Sequence, residues 1–199
     1  MKLTTITQVS VDGVMQGNGA NDEDRPEFER GGWAMPYFED ESETYVTELC
    51  QRAGAFLYGR WTYDLFARYW GTMEQGSHPI ADAFNARPKY VVSTTLTDPP
   101  WAETTVLSGD VAATIRKLKA DGDGELQVHG SGKLVRWLLG QDLVDEITLL
   151  ICPVVVGQGT RMFPDDGPDL ALDLVETRAF PKGILLQVYR AAGRPAYGG

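Results

Sequence analysis

The run Val128-His129-Gly130-Ser131-Gly132-Lys133-Leu134-Val135 gathers residue types that can hold an anion. An apolar stretch, Leu126 to Val128, meets a Gly-Ser-Gly turn and passes directly into an apolar helical pattern. The start of a helix leaves backbone N–H groups without intrahelical partners, and the helix dipole favours negative charge there. Gly130 and Gly132 permit a phosphate to approach the backbone closely, and Lys133 adds a cation within the first turn. The turn lacks the third glycine of a dinucleotide fingerprint, and neither Gln127 nor Leu134 suits a P-loop. At this point a phosphate cradle competes with a structural turn in which Ser131 caps the helix.

Two further segments carry related chemistry. Gly59-Arg60-Trp61-Thr62 joins a glycine turn to an arginine and a hydroxyl helix cap, and Ser93-Thr94-Thr95 ends an apolar run with three successive hydroxyls. Arg60 and Lys133 supply charge, while Ser93, Thr94 and backbone amides supply donors. Ligands of open α/β sheets bind beyond the carboxyl ends of the strands. Three such ends in one chain point to a dinucleotide with several phosphates.

The elements that must position these groups follow from periodicity and punctuation. Residues 2–11 alternate with period two and are rich in β-branched side chains, which predicts a strand closed by Asp12-Gly13. A polar segment from Gln16 to Glu39 follows, carrying Trp33, Tyr37 and Phe38; a loop this long is usually functional or mobile, and its aromatics predict that it folds over something. Helices are predicted at about 41–52, ended by Gly54, then at 63–69, 80–86, between Asp110 and Gly122, and from the glycine turn to Gly140. Strands are predicted at 55–58, 90–92, 105–107, 126–128, 146–156 with Pro153 as a bulge or edge mark, and near 171–176 and 185–190. This alternation gives an α/β domain with a mainly parallel central sheet flanked by helices and a C-terminal antiparallel hairpin. It spans residues 1–190 as one domain, with 191–199 as a tail.

Composition narrows the function. The 199 residues carry a net charge of −10, with acids concentrated in 22–48 and 165–176. That balance excludes bulk nucleic-acid binding, which needs a basic face, and favours a small cofactor held by a few local cations. Cys50 and Cys152 sit alone in apolar surroundings, so two buried thiols are expected and no zinc spacing exists. No secretory h-region is seen, and no run approaches the roughly 18 apolar residues of a membrane span. A cytoplasmic protein without membrane association is expected.

Taken in order, Ser10-Val11-Asp12-Gly13-Val14, Tyr58-Gly59-Arg60-Trp61-Thr62-Tyr63, Tyr90-Val91-Val92-Ser93-Thr94-Thr95-Leu96 and Val128-His129-Gly130-Ser131-Gly132 form a recognisable set. Leu143-Val144-Asp145-Glu146 and Pro153-Val154-Val155-Val156-Gly157-Gln158-Gly159 complete it. Together they resemble the dihydrofolate-reductase-like superfamily, above all the stand-alone proteins similar to the reductase domain of bacterial riboflavin biosynthesis. The resemblance covers about Lys2 to Tyr189.

It implies a dihydrofolate-reductase-like fold that binds NADPH. By motif, Gly59, Arg60 and Thr62 would meet the diphosphate and the 2′-phosphate, and Ser93 and Thr94 the 2′-phosphate or adenine side. Gly130, Ser131, Gly132, Lys133 and Leu134 would wrap the diphosphate. Gln8, Ser10, the 16–38 loop and the 157–159 turn would line a dry pocket for hydride transfer to a C=N or C=O bond of a small heterocyclic (pteridine- or pyrimidine-like) or sugar-linked substrate. Relatives pair through sheet-edge strands, so a homodimer is implied.

Two carboxylates are catalytic candidates. Asp12 falls beside the expected nicotinamide, yet it also suits the Asp-Gly turn. Glu43 falls where folate enzymes grip the pteridine ring, yet Asp40-Glu41-Ser42-Glu43 also reads as a capping box, with Asp40 as N-cap and Glu43 at N3. Tyr63 is expected in the core, His129 as a packed neutral histidine, and Asp145 solvated or paired with a base at a subunit contact. No metal cluster stands out. A catalytically silent NADP(H)-binding regulatory or redox-sensing module is the alternative, and a phosphate-handling transferase is a weaker one.

Overall fold

A computed structural model describes residues 1–19, 27–167 and 169–198, so part of the long polar loop lies outside the described residues. The chain forms two compact units, Met1–Thr5 with Thr44–Asp145, and Ile6–Glu43 with Glu146–Gly199. Strand β1 (Lys2–Ser10) and helix α1 (Asp40–Gln51) each contribute to both.

The first unit contains β2 (Ala53–Gly59), α2 (Arg60–Tyr69), α3 (Pro79–Asn85), β3 (Lys89–Val92), β4 (Thr104–Leu107), α4 (Val111–Asp121), β5 (Glu125–Val128) and α5 (Gly132–Gly140). Its strand order is β4-β3-β2-β5-β1, with every neighbouring pair parallel. The second unit contains β6 (Glu146–Cys152), β7 (Leu172–Ala179) and β8 (Leu185–Ala191) in the order β1-β6-β8-β7. There β8 lies antiparallel to both β6 and β7. This is the α/β architecture that the sequence predicts, mainly parallel with a C-terminal antiparallel hairpin.

Two local features depart from the sequence reading, at Gly54 and at the end of β6. Strand β1 forms as the alternation predicts, and Leu3 to Thr7 are all buried because the strand is internal to the sheet. Gly54 does not end α1 but lies within β2, where a Cβ would come within 2.7 Å of the Asp123 carbonyl oxygen. Strand β6 stops at Cys152 instead of running to Val156, since Pro153 has no N–H to continue the ladder.

The core of the first unit is aromatic: Phe56, Tyr58, Tyr63, Phe84 and Trp101 are buried together. The Tyr63 hydroxyl accepts the Trp101 amide at 3.1 Å, which makes it a core residue as expected. Lys89 is fully buried, and its ammonium donates to the carbonyls of Phe84, Asn85 and Arg87 at 3.0, 3.3 and 2.7 Å. It thereby closes the C-terminal end of α3, while burial pushes its pKa down to about 8. Cys50 and Cys152 are free and buried. No helix among the described residues is long and apolar enough to cross a membrane.

Candidate functional site

The three strand ends singled out by sequence are neighbours in the first unit. Gly59 stands opposite Val92 and Val92 opposite Leu107, while Ser93 N donates to Leu107 O at 3.1 Å. On the other side of β2, Gly59 N donates to Gly130 O at 3.1 Å. The Gly59 and Gly130 turns touch so closely that a Cβ on Gly59 would lie 2.3 Å from Ser131 Oγ. A Cβ on Gly130 would lie 2.6 Å from Thr62 Oγ1. Both glycines are therefore required for the two turns to meet, and Gly130 also has φ 138°, a left-handed value that L side chains rarely adopt. The Gly130–Ser131 peptide is cis.

Two helices start from this junction, and neither is closed by a side chain. The N-cap of α2 is Gly59; that of α5 is Ser131, whose hydroxyl makes no capping bond. Ser131 thus holds the predicted cap position without the predicted bond. Thr62 is not a cap, because Gly59 takes that place and puts Thr62 inside the first turn, buried against Gly130. By contrast His78 Nδ1 accepts the Ile80 amide at 3.2 Å at the start of α3, and Asp110 Oδ1 accepts the Ala113 amide at 3.0 Å at the start of α4. The first-turn amides of α5, on Gly132, Lys133 and Leu134, keep the anion-seeking character of an uncapped helix start. Leu134 is buried, so only its backbone can serve, whereas Lys133 is exposed.

Arg60 lies in the first turn of α2. Its Nε donates to both carboxylate oxygens of Asp64, at 2.9 and 2.7 Å, and its Nη1 reaches Thr95 Oγ1 at 3.4 Å. Ser93 Oγ accepts the amides of Thr95 and Leu96 at 3.2 and 3.1 Å, so it shapes the turn that presents exposed Thr94 and Thr95. Asp64 was missed by sequence reasoning; its i,i+4 spacing from Arg60 was the available signal. His129 packs on the rings of Phe56, Phe66 and Phe84. Desolvation pushes its pKa down to about 4, so it is the neutral histidine expected.

In the second unit Asp12 is a hub. Its carboxylate accepts the Ser10 hydroxyl at 2.6 Å and the amides of Val156 and Gly157 at 2.9 and 2.8 Å, with Arg161 Nη2 at 3.9 Å. The Ser10 hydroxyl and these two amides hold its pKa down to about 2. Such a group is ionised at neutral pH and carries no proton to give. Ser10 Oγ also accepts the Val14 amide, and Gln16 Oε1 accepts the Thr160 amide and hydroxyl at 3.0 and 3.2 Å. Trp33 Nε1 donates to Gln16 O at 2.7 Å, and Arg30 donates to Val156 O. Ser10, the described part of the 16–38 loop and the 157–159 turn are thus brought together, and Gln8 is half-buried on β1.

The cap of α1 sits one residue earlier than predicted. The Glu39 carboxylate accepts the Glu41 and Ser42 amides at 2.9 and 3.0 Å, which helps to keep its pKa low. Buried Ser42 returns through its hydroxyl to the Glu39 backbone at 3.1 and 2.9 Å. Glu39 is long enough to span both amides, so Asp40 and Glu43 lose their predicted roles in the box. Glu43 is exposed on the first turn. Asp145 accepts Lys119 Nζ at 2.7 Å and the Leu3 amide at 2.8 Å, a pairing within the chain. Among the described residues no cluster could hold a metal ion.

Comparison with known proteins bears on the fold and the family. The uncharacterized protein YyaP of Bacillus subtilis strain 168 is 28% identical over 149 residues, covering 74% of this chain and 79% of that protein. A Shewanella sp. PV-4 crystal structure named for riboflavin biosynthesis superposes with a TM-score of 0.69 at 20% identity, covering 96% of this chain and 99% of that one. Dihydrofolate reductase from Enterococcus faecalis, complexed with NADP(H), gives a TM-score of 0.61 at 12% identity over 96% of each chain. The fold is dihydrofolate-reductase-like, and, with residues 1–186 matching the model of the RibD C-terminal domain, the chain belongs to that family.

Proposed function

We propose that the protein is an NADPH-dependent reductase acting on a C=N or C=O bond of a small heterocyclic (pteridine- or pyrimidine-like) or sugar-linked substrate. The observation that carries this reading is the pair of touching helix starts, α2 and α5, that no side chain caps. Their amides, the Arg60 and Lys133 cations and the hydroxyl turn at 93–95 form a donor set suited to several phosphates. Gly59, Thr62 and Gly130 to Leu134 would hold the diphosphate; Arg60, Ser93 and Thr94 would hold the 2′-phosphate side. The bound cofactor would supply the hydride, leaving orientation and exclusion of water to the protein. The family match and the NADP(H) complex of the Enterococcus enzyme support the reading.

In the second unit Asp12 would act by holding the 153–157 segment against the end of β1, and Glu43, exposed on the first turn of α1, would be the carboxylate that meets a substrate. That Asp12 carries no proton at neutral pH favours a second reading, a silent NADP(H)-binding module; turnover of NADPH with any small imine or carbonyl excludes it. Strand β7 is exposed along its length, with Leu174 and Val175 at 55% and 48%, and offers the edge for a homodimer. A cytoplasmic location suits the two free thiols.

The test is a tryptophan-quenching titration with NADPH and NADH. NADPH should bind much more tightly, and Arg60→Ala should weaken NADPH by about ten-fold or more while sparing NADH. Equal losses for both would remove Arg60 from the 2′-phosphate. Binding of neither would end the reductase reading.

A further inference from the structure

We infer that Asp64 is a positioning residue for cofactor selection, holding the Arg60 guanidinium in the orientation that reads the 2′-phosphate; this rests on the reading just given. Arg60 and Asp64 are each about two-fifths exposed, so the pair adds little to stability. Its geometry is nevertheless specific. Both Asp64 oxygens take the single Nε proton, at 2.9 and 2.7 Å, while Nη1 leans on Thr95 Oγ1 at 3.4 Å. The inner edge of the guanidinium is thereby fixed to α2 and its flank to the turn after β3. The Nη1 side of the guanidinium faces the turn that presents the Thr94 and Thr95 hydroxyls. An arginine this exposed would otherwise sample many rotamers, and a ligand would have to immobilise it on binding. Asp64 does so in advance.

The carboxylate also opposes a phosphate by charge, and the two effects are separable. Asp64→Asn keeps an acceptor for Nε but removes the charge; Asp64→Ala removes both. With NADPH and NADH titrated against wild type and both variants, Asp64→Ala should weaken NADPH by roughly five-fold and leave NADH within two-fold. Asp64→Asn should restore NADPH affinity to wild type or better. Unchanged or tighter NADPH binding by Asp64→Ala, or equal losses for both nucleotides, would overturn the inference. If wild type itself binds NADPH no better than NADH, the reading of the site fails first, and the inference goes with it. A loss in Asp64→Ala that Asp64→Asn does not rescue would also overturn it.

Discussion

Helices of the first unit begin in two ways. At α3 and α4 a side chain, His78 or Asp110, accepts a first-turn amide; at α2 and α5 the chain enters from Gly59 and Ser131 and no side chain does. A cap is worth about 1 kcal/mol. Among the α-helices that start in the first unit, that stabilisation is forgone where the ends of β2 and β5 meet, and there the amides stay available to an external anion. Local sequence could have supplied a cap at Ser131, yet its hydroxyl is turned to Gly59 instead.

The comparison breaks most severely at Gly59. Gly59→Ala forces a Cβ onto Ser131, so denaturant unfolding should show a loss of about 2 kcal/mol, and NADPH binding should vanish. Retained binding in a folded Gly59→Ala protein would mean that the two turns need not touch. Next, Ser131→Asp converts an open start into a capped one. NADPH affinity should fall by roughly ten-fold or more through like-charge repulsion, while unfolding free energy rises by about 0.5 kcal/mol. Undiminished binding would place the phosphates elsewhere.

His129 feeds one of the open starts, and pH sharpens its part. With a folded pKa of about 4 against 6.5 unfolded, the unfolded chain takes the proton first. Stability is then full above pH 6.5 and declines as pH falls toward 4, by about 3 kcal/mol. His129→Gln should flatten that slope in a pH series of unfolding curves; an unchanged slope would assign it to other groups. Asp12 acts in a lower window, its contribution being lost only as pH falls from 3.8 toward 2. The smallest effect is expected at a capped start: Asp110→Ala should cost about 1 kcal/mol and leave nucleotide titrations unaltered.

The strand ends were legible because glycines, cations and hydroxyls announce them locally. Their adjacency was legible too, since short crossovers in an α/β chain bring successive strand ends to one edge. Helix caps were less so. Thr62 resembles a cap by type, but backbone conformation gives that place to Gly59. Glu39 is a less common cap than Asp40, and only the buried Ser42 hydroxyl fixes the frame. The Asp12 network was hidden because its partners are the amides of Val156 and Gly157, and a backbone amide leaves no mark in the side-chain sequence. The division into two units was hidden as well, since each is assembled from separated stretches.

Those shared bonds tie segments 10–19, 27–38 and 153–162 of the second unit into one piece. Such segments cannot be inherited one at a time. A chimaera that grafts 153–162 from a relative onto this chain would bring backbone amides to Asp12 and Gln16 in a foreign spacing, and would fold well only if 10–19 came from the same donor. Diversification of this surface among relatives should therefore proceed by paired replacement.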